Sequence, residues 1–438
     1  MSYYINTSKL YLLKLSIPIF FSNIAIPFAG LVDTALMGHL HNTRFLAAIS
    51  IATSVITMIF WSFGFLRMST VSLISQSLGK KNYDEIILVY VRGLILALFI
   101  GIIIIFFREP ILFLIEYFFK TSEETQILIN KYISIRILSA PAELIIYVIA
   151  GLYLGLQKTH ISSLMISIFC FGNAILSAIF VIHFDLEILG VAAGTIIAAY
   201  VTVIIFLIFS YLNLKNKIQI PLTHKKILNL TKISKLFKIN SDIFIRTILL
   251  TFSFLWFTYQ SSKLGENYLA INALLMQFIM LASFILDAYA FSTEAIIGYT
   301  VGRRVKNSFL KVVTNSFQLS IFSGLVISLT YLFTFQHIIN ELTDLDYLKF
   351  LTFNYIVWIV IIPPVASICY QFDGIFIGAS QTTEMRNGMV LSVLLFILSS
   401  YVLVRNYGNH GLWLSLLFFM VMRSITLNYY FNRILKKF

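Results

Sequence analysis

The sequence predicts an all-α membrane protein of about twelve transmembrane helices in two pseudo-symmetric six-helix lobes. Three observations predict it. Mean hydropathy is +0.89, with 59% hydrophobic and only 12% charged residues, a balance a water-soluble domain does not carry. Apolar stretches of the roughly 20 residues needed to cross a bilayer core of about 30 Å recur from end to end. Motifs of the first half return in the second at an offset of roughly 223 residues. Runs such as 93–107 and 389–404 are continuously apolar rather than alternating, which excludes a transmembrane barrel.

Helix one is the segment 16–40, SIPIFFSNIAIPFAGLVDTALMGHL. It is too long for a cleaved signal and no small-residue cleavage site follows it, so it is expected to remain as a span. Pro18 and Pro27, near a small-residue stretch that includes Gly30, give it a bending point. A second long helix ends in the basic turn LGKKNYDE, and helix four carries APAELIIYVIAGLYLGLQKT. Residues 213–240, polar and lysine-rich, divide the chain into an N lobe 1–212, a cytoplasmic linker 213–237 and a C lobe 238–438. In the linker tail Leu228, Ile233, Leu236 and Phe237 interleave with Lys225, Lys226, Lys232 and Lys235, which suits a helix lying on anionic lipid or a plain solvated connector.

The second half then repeats the first. VGRRVKNS returns for LGKKNYDE, and PPVASICYQFDGIFIGASQT for the helix-four segment, so that Pro141 meets Pro364, Gly151 meets Gly374 and Gly155 meets Gly378. Both copies hold a G-x-x-x-G step, which lets helix backbones approach closely in lipid. Six helices separate the copies, so they share one orientation. Such parallel repeats are the architecture of alternating-access transporters.

The net charge of +13 reports topology, not a nucleic-acid partner. Basic residues such as Lys80, Lys81, Arg303, Arg304 and Arg386 fall in every second loop and at the C-terminus, while Glu109, Glu123, Asp185, Glu266, Glu341 and Asp344 fall in the alternate loops. By the positive-inside rule the basic loops and both termini are cytoplasmic. Cys170 and Cys369 match neither a disulfide framework nor a metal spacing. Seven histidines, His41 among them, form no H-E-x-x-H pattern, which argues against an intramembrane enzyme.

Asp33 is the one acid of helix one. An ionised carboxylate costs several kcal/mol in hydrocarbon, so one retained there is expected to have a partner, a wet cavity or a proton. Other buried ionisable residues are weighed beside it. Arg136 and Glu143, seven apart on helix four, are expected to pair, with Arg136 also able to approach Asp33 and counted among the residues of a substrate cavity. Asp242 and Arg246, one turn apart, read as an internal ion pair. Asp287 and Glu294 with Asp373 form a C-lobe acidic cluster that either binds cationic substrate or ties helices together. Tyr147, Trp256, Phe257 and Met276 lie on helices expected to border a substrate cavity, where aromatic faces could stack on flat cations. At the repeat offset Asp33 falls opposite Trp256, so the lobes are chemically unequal.

On SIPIFFSN, GLVDTALMGHL, FLRMSTVSLISQSLG, RILSAPAELI, NSDIFIRTILL, LDAYAFSTEA and DGIFIGASQTTEMRNGM the chain resembles the multidrug and toxic compound extrusion (MATE) transporters, and their DinF-like branch, over nearly its whole length. The resemblance implies a MATE-like two-lobe antiporter, with no bound cofactor, driven by the proton motive force or by sodium. It implies that Asp33 is the coupling acid and that Asn173 and Thr195 match an asparagine and a threonine of the same cavity. The second acid of that pattern is absent: Ser177 stands in its place. Proton coupling through Asp33 is therefore expected, with Glu143 the candidate replacement acid. The expected partners are a small organic substrate, cationic or amphiphilic, protons and membrane lipids, with the protein a monomer in the cytoplasmic membrane. A sodium-coupled exporter and a lipid or glycolipid flippase are the alternatives.

Overall fold

The computed structural model describes residues 6–40, 43–119, 121–217, 223–342 and 346–438. Residues 218–222 of the expected linker, together with His41 and Asp344, lie outside them. In the first half run α1 (Lys9–Gly38), α2 (Thr43–Ser62), α3 (Phe65–Gly79), α4 (Tyr83–Phe106), α5 (Arg108–Phe118), α6 (Glu123–Arg136), α7 (Ala140–Gly155), α8 (Thr159–Ile182), α9 (Glu187–Leu214) and the short α10 (His224–Ile227). In the second run α11 (Leu230–Lys263), α12 (Glu266–Arg303), α13 (Lys306–Leu342), α14 (Asp346–Phe353), α15 (Ile356–Gly378) and α16 (Thr382–Leu435).

Among the described residues eleven helical segments are long and apolar enough to cross a membrane. The last of them is two: α16 runs 54 residues but is broken at Gly408, whose φ of 55° and ψ of −132° no helix contains. Glycine meets no Cβ penalty there. Eleven with one divided gives twelve spans, six before α10 and six after it. This is the all-α membrane fold that the composition predicts.

The chain forms two compact units, residues 21–236 and residues 1–20 with 237–438. The division falls inside the continuous helix α1, so Pro18 belongs to one unit and Pro27 and Gly30 to the other. In the second unit the Ser16 and Ser292 hydroxyls meet at 2.8 Å, and in the first Ser22 reaches Ser163 at 3.3 Å. Each part of α1 is thus tied into its own unit by a buried hydroxyl pair.

The repeat read from the sequence has a three-dimensional counterpart. A Cβ on Gly101 would meet the Pro141 nitrogen at 2.6 Å, and one on Gly324 would meet the Pro364 Cα at 2.8 Å. Gly155 packs on Ile74 of α3 and Gly378 on Ile297 of α12 in the same manner. Even the left-handed residues recur at the offset, Lys81 with Arg304 and Gln157 with Ser380. These pairs lock α7 onto α3 and α4, and α15 onto α12 and α13, by backbone approach that only glycine permits.

Two local expectations are corrected. The linker tail is no separate surface helix: residues from Leu230 onward are the first turns of α11, and Leu236 is buried while Leu228 and Phe237 are exposed. Nor is the stretch from Arg136 to Glu143 one regular helix. A 3-10 turn, Ile137–Ser139, joins α6 to α7, with Pro141 in the first turn of α7, where its missing N–H costs nothing.

Candidate functional site

Asp33 on α1, Asn173 and Ser177 on α8 and Thr195 on α9 converge inside the first unit, all of them buried. α8 and α9 can bring these side chains together because Gly194 lets α9 close on α8, a Cβ there falling 2.8 Å from the Ser177 hydroxyl. The Ser177 Oγ donates to the Asn173 amide oxygen at 2.9 Å, and the Thr195 Oγ1 donates to the same oxygen at 3.0 Å. Thr195 also lies 2.9 Å from its own helix's Val191 carbonyl. With its oxygen taken twice, the amide turns its nitrogen toward Asp33, whose Oδ2 accepts from Nδ2 at 3.5 Å. The other carboxylate oxygen, Oδ1, has no hydrogen-bond partner among the described residues.

This is a sparse environment for a carboxylate. Buried polar atoms are nearly always paired, and an ionised carboxylate has about four lone-pair sites to fill. Asp33 receives one long bond from Asn173, with the Ser177 hydroxyl also within hydrogen-bonding reach. The arrangement suits a group that holds a proton for part of its working cycle, since protonation removes the charge that the surroundings do not compensate. Arg136 is within electrostatic reach of Asp33, but its guanidinium is bonded elsewhere.

Arg136 donates to Glu143 and to the Ser139 hydroxyl, and Ser139 donates to Glu143 at 2.7 Å. The guanidinium also lies 5.2 Å from the centre of the Phe60 ring. No hydrogen bond joins Glu143 to Asp33, Asn173, Ser177 or Thr195 among the described residues. One carboxylate oxygen of Glu143, Oε1, is taken by Arg136 and Ser139, so Glu143 stands in an ion pair. Tyr147, one turn further along α7, is half-buried.

In the second unit the expected pair Asp242–Arg246 is not formed. Asp242 instead accepts from Arg386 at 2.7 Å and from the Thr382 and Thr383 hydroxyls at 3.1 and 2.8 Å. Arg246 donates to Asp373, which also accepts from Arg423 at 2.6 Å. Asp373 is therefore the centre of a buried Arg–Asp–Arg triad linking α11, α15 and α16, which agrees with the helix-tying role among the two given to the acidic cluster. Glu294 is buried and Asp287 half-buried on α12. A one-turn spacing on a single helix could not announce the triad, because the competing arginine and threonines arrive from other helices.

The aromatic candidates divide in the same way. Phe257 is 2% exposed and packs on Trp413 with ring centres 5.0 Å apart, so it belongs to the core of the unit and not to a cavity wall. Met276 packs against that core. Trp256 is half-buried, donates from Nε1 to Ser400 at 2.9 Å and groups with Phe252, Tyr259 and Tyr401. A polar knot that the sequence reading missed lies beside it in the fold: Asn272 exchanges hydrogen bonds with Asn409 and receives one from Trp413 at 2.8 Å. Asn409 follows the Gly408 break directly, and that glycine is the signal in the sequence that could have drawn attention to it.

Comparison with known proteins places this geometry. The MatE family model matches residues 18–180 and 243–402, one stretch in each half. The chain is 33% identical over 97% of its length to DNA damage-inducible protein F of Escherichia coli, covering 92% of that protein. It is 22% identical to the multidrug export protein MepA of Staphylococcus aureus, over 90% of this chain and 86% of that one. Among solved structures, a MOP superfamily transporter from Pyrococcus furiosus superposes with a TM-score of 0.87 at 17% identity, covering 98% of this chain and 96% of that one. A mutant of the Vibrio cholerae MATE transporter VcmN gives 0.86 at 20% identity, with 98% and 97% covered. These likenesses carry the two-lobe transporter fold. With both halves matched and a third of its residues shared with a full-length relative, the chain belongs to the MatE family, the multidrug and toxic compound extrusion transporters, and is not an enzyme.

Proposed function

We propose that this transporter is a proton-coupled antiporter that exports small organic compounds, cationic or amphiphilic, from the cytoplasm by alternating access. Asp33 is the coupling group, and no bound cofactor takes part. The observation that carries the reading is the environment of Asp33: buried, with a single long amide bond to one oxygen and none to the other. Protonation from outside neutralises the carboxylate, α1 repacks about Pro18 and Pro27, and substrate leaves. Release of the proton on the inside resets the cycle. The name multidrug export protein, borne by a relative, supports the substrate class.

The energetics are sufficient. One charge crossing about 100 mV supplies about 2.3 kcal/mol, worth between one and two decades of gradient for a neutral substrate at about 1.4 kcal/mol per decade. Sodium coupling is the less favoured form. A hard cation wants oxygen ligands, whereas Asn173 faces Asp33 with its nitrogen and Ser177 stands where a second carboxylate would be needed. The placement of basic loops supports an orientation in the cytoplasmic membrane with both termini inside, and the protein is read as a monomer there.

The test is drug-driven proton movement in everted vesicles, wild type against Asp33→Asn. The expected result is loss of coupled proton efflux in the variant with the protein still folded. Equal coupling in both would remove Asp33 from the mechanism, and coupling that needs sodium at constant pH would replace the proton.

A further inference from the structure

A second polar site lies far along the chain from the coupling acid, at the turn that joins α3 to α4. A cavity of about 100 Å³ opens there, walled by Gln76, Ser77, Lys80, Glu85, Lys232 and Lys235 among others. A cavity needs only roughly 10–15 Å³ to hold a water, so this one admits a group of phosphate size.

Its far wall is built by the segment joining the two repeats. Arg92, itself only 7% exposed, donates from Nε to the Ile227 carbonyl at 2.9 Å and from Nη2 to the Lys226 carbonyl at 2.6 Å. It thereby holds the end of α10 against α4 and brings the first turns of α11 over the α3–α4 turn. The Arg92 donors are used in this clamp and in a 3.5 Å contact with Glu85. Glu85 also receives Lys232 at 3.1 Å. One carboxylate is thus shared by two cations.

Lys80 and Lys235 form no salt bridge among the described residues, and Lys235 sits within repulsive range of both Lys80 and Lys232 with Glu85 as the one attracting carboxylate. Four cations and one anion line the cavity, a surplus of three positive charges around a space ringed with hydroxyl and amide groups. Like charges brought together in a partly enclosed site cost free energy that a bound anion recovers, most strongly one with several acceptor oxygens. Lysines of a helix lying loose on the surface would spread apart. These are gathered by the Arg92 clamp.

We propose that this cavity is an anion site that takes a phosphate group, with Lys80, Lys232 and Lys235 as its charged ligands. The phosphate is carried either by the headgroup of an anionic phospholipid or by free phosphate. The site sits on the face of the basic loops, where anionic headgroups are reached most easily.

The full-length protein, purified in neutral detergent, provides the test through its thermal midpoint. Inorganic phosphate is compared with chloride at matched ionic strength, and short-chain phosphatidylglycerol with short-chain phosphatidylcholine. The expected result is a rise of about 2 °C or more with a phosphate-bearing probe. A rise with phosphatidylglycerol alone assigns a lipid headgroup, and a rise with inorganic phosphate assigns a free anion. The Lys80→Gln/Lys235→Gln double variant should lose the rise, and Lys80→Arg/Lys235→Arg should keep it. No rise in the wild type, or an equal rise in the glutamine variant, would overturn the proposal. The wild-type titration alone decides the matter if the glutamine variant fails to fold.

Discussion

Asn173 presents its amide nitrogen, not its oxygen, to Asp33, because the hydroxyls of Ser177 and Thr195 both donate to that oxygen. The carboxylate therefore meets the amide nitrogen, with the Ser177 hydroxyl also within reach, and Ser177 helps to set the polarity of the cluster. Replacing that serine is the most direct way to change what the cluster binds. Ser177→Asp removes one of the two hydroxyls from the Asn173 oxygen and adds a carboxylate one turn from it. The cluster would then offer two carboxylates and an amide oxygen released from one donor, the oxygen set that a hard cation requires. The expected outcome is transport that becomes sodium-dependent at fixed pH. Vesicle efflux measured with and without sodium checks it, and continued indifference to sodium would show that the amide, not the missing acid, governs ion choice.

The ion pair of Arg136 and Glu143 should behave as structure. Its two side chains are 11% and 13% exposed, and removing one partner of a buried pair leaves an uncompensated charge at a cost of about 3–5 kcal/mol. Glu143→Gln and Arg136→Met should each lower stability by an amount near the lower end of that range, because some solvent still reaches the pair. Removing both together should cost less than the sum of the two. Thermal unfolding of the two single variants and the double variant measures the coupling. Additive losses would mean that the pair contributes little.

Asp373 makes a harsher case. Its Oδ2 is the shared acceptor of Arg246 and Arg423, all three side chains being less than 10% exposed. Asp373→Asn leaves two buried guanidinium groups facing each other with no counter-charge, and the loss should reach about 5 kcal/mol or more. The expected observation is failure of the variant to accumulate in membranes. Full expression with transport lost would instead argue that Asp373 works in the cycle.

How much of this was legible in the sequence depends on the range of the interaction. The repeat was legible because backbone packing leaves no choice of residue: Gly101 and Gly324 must be small where Pro141 and Pro364 press on them. Asp33 was legible because a lone acid in an apolar segment has few explanations. The ion pairs of the second unit were not, since the rule for residues one turn apart considers only one helix, whereas Asp242 found Arg386 on α16 and Arg246 found Asp373 on α15. The continuity of α11 could have been read from the absence of glycine and proline between Leu230 and Lys263, but the lysine-rich composition of its first turns resembles that of a linker. The double use of the Asn173 oxygen has no sequence signal at all, because it depends on how close Gly194 lets α9 come to α8.

Two kinds of glycine stand in the membrane helices. Gly30 in α1 has nothing within 4 Å of where a Cβ would stand, whereas a Cβ at Gly324 would lie 2.8 Å from the Pro364 Cα and 3.0 Å from the Pro363 oxygen. Gly30→Ala therefore removes only backbone freedom from a helix interior and should raise stability by up to about 1 kcal/mol. Gly324→Ala forces α13 away from Pro363 and Pro364 of α15 and should lower it by about 1–3 kcal/mol. Stability is read by thermal unfolding and transport by vesicle efflux. If α1 bends at Gly30 during the cycle, the more stable Gly30→Ala protein should transport more slowly, because stiffening a helix that must repack raises the barrier between its two forms. Unchanged transport would place the bending at Pro18 or Pro27, where the absent backbone N–H groups already weaken the helix.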